Sequence, residues 1–69
     1  MKRLYRGKFN LHGEVFNIWR HAKSNHQAKQ LMLFDLANRT DRNVSYLRRY
    51  FDGSKDNFSV ALEKANARG

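Results

Sequence analysis

Residues 3–22, RLYRGKFNLHGEVFNIWRHA, decide the architecture. Leu4, Arg6, Lys8 and Asn10 alternate with Tyr5, Gly7, Phe9 and Leu11. This is the period of two of a strand with one polar, basic face and one apolar face. His12-Gly13 follows, and Gly takes the positive φ of a tight hairpin turn at no steric cost. Residues 14–22 are rich in β-branched and aromatic side chains and read as the return strand. Phe16 and Ile18 then join Phe9 on the core side, with Val15, Asn17, Trp19 and His21 opposite.

Working outward, Ser24-Asn25-His26-Gln27 is a capping box that starts a helix running through QAKQLMLFDLANR. Ala28, Leu31, Met32 and Leu36 give its apolar face, which Leu33, Phe34 and Ala37 widen beyond one stripe. Such a helix is wedged between two layers, or its surplus Leu33, Phe34 and Ala37 meet a protein partner or a second copy through residues 25–38. In NVSYLRRYFDG, Val44, Leu47 and Phe51 favour a short helix, and DGSKDN is turn chemistry. Phe58, Ala61, Leu62 and Ala65 fit another short helix, although Phe58, Val60 and Leu62 also alternate. The expected fold class is therefore α+β: an N-terminal β-hairpin, a long amphipathic helix and two shorter helices, in one small domain over residues 1–69. The alternative pairs 44–51 with 57–63 as a second hairpin, giving a ββαββ sheet under one helix. It gains from the marginal stability of an isolated hairpin.

Composition narrows the function. Sixty-nine residues without Cys or Pro offer neither disulfides nor a Cys-based zinc site, which points to a reducing, cytoplasmic setting or to stability assisted by a partner. No apolar run approaches a membrane span, and the basic N-terminus has no hydrophobic stretch behind it, so neither a membrane nor a signal peptide is expected. The net charge is +8. Residues 1–34 carry seven basic groups against Glu14 alone, whereas residues 35–69 carry seven against five. An excess of one sign attracts polyanions.

Basic residues interleaved with aromatics suit nucleic acid, because Lys and Arg neutralise phosphates while aromatic faces stack on unpaired bases. The candidate contacts are Arg3, Arg6, Lys8, Trp19, Arg20 and Lys23, joined by Arg48 and Arg49 of the later helix; Trp19 reads first as a core anchor, since a small domain leans on large aromatic burial. His12, His21 and His26 fall close together, but no pair has i, i+4 spacing and no Cys or carboxylate cluster completes a site, so neither metal nor cofactor is expected. A small ribonuclease would need a base and an acid; His21 beside Arg20 is too generic a pair, so no enzyme is expected. The sequence thus supports a non-enzymatic nucleic-acid-binding module, DNA or RNA, with backbone-dominated contacts from the basic hairpin face. The alternative is a small phage- or mobile-element-type inhibitor that binds a protein partner such as a host defence or nucleic-acid-handling complex.

Leu36-Ala37, Tyr46-Leu47, Gly53, Leu62 and Ala65 have a spacing that resembles the helix-turn-helix of Cro-like phage and plasmid repressors. That resemblance implies a recognition helix over 43–52 with Arg48 and Arg49 near DNA. Asp41 stands where the motif carries Gly, and Arg42 where an apolar residue packs. The hairpin followed by a helix is also similar, in pattern, to the β-sheet arm-binding domains of some phage integrases.

Overall fold

A computed structural model describes residues 2–63. Its elements are β1 (Arg3–Leu11), β2 (Glu14–Ala22), α1 (Asn25–Thr40), α2 (Val44–Tyr50) and β3 (Phe58–Leu62). The three strands form one antiparallel sheet in the order β2-β1-β3, so the fold is α+β with β1 central.

The hairpin has the register that the alternation dictates. Arg6 lies opposite Trp19, Phe9 opposite Phe16 and Leu11 opposite Glu14. His12 and Gly13 have φ of 53° and 89°, the two positive values a type I′ turn requires. The Gly13 N–H donates to Asn10 Oδ1 at 2.9 Å, closing the turn from below. Gly7, Phe9 and Leu11 of β1 and Ile18 and Ala22 of β2 are buried on one face, while Arg6, Lys8, Asn10, Asn17 and Trp19 are exposed on the other.

α1 lies across the buried face. Ser24 caps it by accepting from the Gln27 N–H at 3.1 Å, and the Gln27 side chain accepts from the Lys23 N–H at 2.7 Å. Asp41 ends it in the left-handed region at φ 54°, its N–H returning to Ala37 O. Ala28, Met32, Leu33 and Leu36 are buried, and Leu31 and Ala37 pack against the same core. The width of this face follows from its position: α1 packs against all three strands and also against α2. The sheet tolerates so close a helix because residue 7 is Gly; a Cβ there would run into the Met32 sulfur and the Phe9 ring.

Two expectations for the last third are corrected. Residues 58–62 form β3 and not a helix; the residues 64 and 65 that would have extended that helix lie outside the described residues. Residues 44–50 are helical, so the second hairpin of the alternative is absent: β3 pairs with β1, Phe9 opposite Phe58 and Tyr5 opposite Leu62. The reason is the open edge of β1. A hairpin alone leaves one side of β1 without partners, and the alternation of Phe58 and Val60 can fill it while keeping both side chains toward the core. Phe9 then stacks on Phe58 at 5.9 Å and meets the Phe51 ring edge-on at 5.1 Å, so strand, helix end and loop share one aromatic cluster. Asn57 secures the loop, its backbone carbonyl accepting from Asn10 N–H at 2.8 Å and its amide donating to Tyr50 O at 3.0 Å.

Candidate nucleic-acid interface

The helices cover one face of the sheet and leave the other bare. On this bare face β1 supplies Arg6, Lys8 and Asn10, β2 supplies Asn17, Trp19 and His21, and β3 supplies Ser59 and Ala61. Strand alternation does the sorting, since every second side chain points away from α1. Trp19 is 47% exposed, and the Arg6 guanidinium lies over its ring at 5.7 Å. The core reading of Trp19 is thereby corrected. Its indole N–H donates to Glu63 Oε2 at 3.0 Å, reaching across β1 and fixing the ring orientation. Between β1 and β3, Arg6, Lys8, Ser59, Ala61, Leu62 and Glu63 line a depression of about 440 Å³.

The eight residues put forward from sequence do not form one surface. Arg6, Lys8 and Trp19 come together on the bare face. Arg20 does not: it lies one residue from Trp19, so the strand turns it toward α1, where its Nε sits 3.4 Å from Asp35 Oδ2. Arg3 has the parity of Tyr5 and not of Arg6, and stays exposed at the strand's end. Lys23 is exposed in the turn before α1. Arg48 and Arg49 sit on α2, in the helical layer. Arg48 Nε donates to Gln30 Oε1 at 3.2 Å and its guanidinium lies 5.8 Å from the Phe34 ring, so this side chain is folded onto α1.

The surplus apolar residues of α1 divide as well. Leu33 is fully buried and therefore withdrawn from any docking surface; Ala37 is half-buried; Phe34 alone is well exposed, at 48%. Of the positions that carry the helix-turn-helix resemblance, Leu36 and Leu47 are buried, Tyr46 is exposed, Gly53 lies in the loop at φ 94°, and Leu62 is on β3. Ala65 lies outside the described residues.

Sequence reading missed Asn10 and Asn17 as site residues, although their parity with Lys8 and Trp19 was the signal that places them on the bare face. It also missed a second cluster. The hairpin-turn residue His12 meets Tyr46 and Tyr50 of α2: His12 Nε2 is 2.8 Å from Tyr46 Oη, and the His12 backbone N–H donates to Tyr50 Oη at 3.3 Å. No local pattern links positions 34 and 38 residues apart. Among the described residues no group of three or more His, Asp or Glu could hold a metal ion, and no helix is long and apolar enough to cross a membrane. Compared with protein-family models, curated proteins and solved structures, the chain matches none.

Proposed function

We propose that the bare face of the sheet binds nucleic acid, with Arg6 and Lys8 on phosphates and Trp19 stacked on an unpaired base. The observation that carries this reading is a large aromatic ring, half exposed on an open sheet face, with a guanidinium over it and a second cation next along the central strand. A ring standing in solvent offers a base about 1–3 kcal/mol of stacking, and each phosphate neutralised releases counterions. Asn10 and Asn17 supply side-chain amides on the same face, suited to phosphate or base-edge hydrogen bonds. Glu63 adds a negative charge beside Trp19, which directs a phosphate chain toward the Lys8 side of the face. Stacking on one exposed ring favours single-stranded over duplex nucleic acid.

The chain has one tryptophan, so intrinsic fluorescence reports on the site itself. Titration with single-stranded RNA or DNA at about 50 mM salt is expected to quench Trp19 saturably, with affinity falling as a power of salt. Lys8→Glu should abolish the binding, and Trp19→Ala should weaken it by about tenfold or more. Saturable binding with Trp19 fluorescence unchanged would overturn the reading, as would no binding at low salt.

A narrower observation favours a protein partner on the opposite side of the molecule: Phe34 stands exposed on α1 with Arg48 beside it. Phe34→Ser separates the two, since it leaves the bare sheet face untouched and removes the one well-exposed aromatic of that helix.

A further inference from the structure

We propose that the groove beside α2 binds a nucleotide unit, meaning a phosphate carried next to a planar base. The groove is open to solvent, is lined by Asn43, Ser45, Tyr46, Arg49, Tyr50 and Lys55, and has a volume of about 590 Å³. That volume falls in the ~300–1,000 Å³ range of small-molecule sites. It is separate from the bare sheet face and does not depend on the reading given to that face.

The rings come first. Tyr46 and Tyr50 are one turn apart on α2, so their side chains project together; the rings are 6.0 Å apart and inclined by only 19°. They are held from three directions. Tyr50 meets Phe51 edge-on at 4.9 Å, the His12 backbone donates to the Tyr50 hydroxyl, and the His12 ring bonds the Tyr46 hydroxyl. His12 sits at φ 53°, a conformation costly for a side-chain-bearing residue, and the two tyrosine contacts oppose that cost. Rings held in place before a ligand arrives lose little freedom when it binds.

The charges come second. Arg49 and Lys55 line the groove, Lys55 lying 5.4 Å from the Tyr50 ring centroid, and Arg42, just outside the lining, lies 5.6 Å from that of Tyr46. Among the described residues no carboxylate lines the groove, and the only ion pair is that of Arg20 with Asp35. Arg42 and Lys55 thus lie against ring faces, and among the described residues neither they nor Arg49 have a carboxylate partner. A site of this charge repels metal cations and accepts an anion, and Arg with Lys is the usual pairing for phosphate. Two nearly parallel rings add what a bare anion cannot use: a flat face for a base. Phosphate and base together make a nucleotide, whether free or at the end of a strand.

The test is NMR of the intact chain, following backbone amides during titration with a ribonucleoside 5′-monophosphate, the matching nucleoside and inorganic phosphate. The monophosphate is expected to shift Tyr46, Arg49 and Lys55 saturably, with the nucleoside and inorganic phosphate each binding at least about tenfold more weakly. Tyr46→Ala and Arg49→Ala should each weaken the monophosphate by about tenfold. Both side chains are exposed, and unchanged Phe9 and Leu33 resonances would certify the fold. Lys8→Glu, on the sheet face, should leave these shifts intact, so a failure of the sheet-face reading is distinguishable from a failure here. A 5′-phosphorylated tetranucleotide that displaces the monophosphate from the same residues at about tenfold lower concentration assigns the groove to a strand end; equal or weaker displacement assigns it to a free nucleotide. Inorganic phosphate binding as tightly as the monophosphate, shifts confined to the sheet face, or indifference to both substitutions would overturn the proposal.

Discussion

Gly7 shows how one missing side chain sets the spacing of two layers. It lies mid-strand, where glycine costs conformational entropy, yet α1 reaches the sheet through Met32 at that point. Gly7→Ala should destabilise the fold by about 1–3 kcal/mol through overpacking, read as a lower urea midpoint with the slope unchanged. Asp52 is a second such residue. Its carboxylate accepts from the Ser54 hydroxyl at 2.7 Å and the Ser54 N–H at 2.9 Å, and these bonds hold its pKa below the ordinary 3.8. A carboxylate whose folded pKa is depressed adds stability above its unfolded pKa and loses it as pH falls through the folded one. The Ser54 contacts should therefore persist to lower pH than an unperturbed carboxylate would allow, and an NMR titration of the Asp52 carboxyl should show a midpoint under 3.8. Arg20 makes the third case: because it faces Asp35 on α1, Arg20→Ala should leave nucleic-acid affinity nearly unchanged, and a loss as large as that of Lys8→Glu would contradict the placement.

At the scale of elements, the hairpin and α1 were legible because their signals are local. Alternation over nine residues a strand, a Gly in the turn and a Ser-x-x-Gln cap each act within a few positions, and the structure follows all three. Ser24→Ala should cost about 1 kcal/mol, checked by thermal unfolding. β3 was not legible in the same way. Its five residues carry both a helical and an alternating pattern, and the deciding partner, the open edge of β1, is some fifty residues away. Nor did periodicity reveal how α1 uses its broad apolar face. A helix packed against both a sheet and a second helix reads like one with a docking patch until the position of α2 is known.

At the scale of the molecule, charge and topology combine to make two faces of different character. Layering α1 and α2 on one side of a three-stranded sheet leaves the other side to whatever the alternation placed there, which is Arg6, Lys8, Asn10, Asn17 and Trp19. Glu63 opposes a polyanion on this face, so Glu63→Gln should strengthen oligonucleotide binding a few-fold at low salt, an effect that fades toward about 1 M salt. Fluorescence titration of Trp19 at two salt concentrations measures both limbs of that expectation. Of the eight sequence candidates, the three that share this face obey strand parity. Arg20 was grouped with them on adjacency in sequence, a relation that a strand reverses at every step.

By itself, the sequence determined the hairpin and its inward and outward faces, the long capped helix, and the excess of basic over acidic residues. The hairpin and the helix follow from steric and electrostatic rules acting within one element. Tertiary structure alone decided that 58–62 becomes the third strand, that Leu33 is core while Phe34 is surface, and that the helices leave the face carrying Trp19 uncovered. It also brought His12 to Tyr46 and Tyr50. These outcomes depend on which elements meet, and contacts between distant residues are settled by the burial and edge pairing of the whole chain, not by any stretch of it.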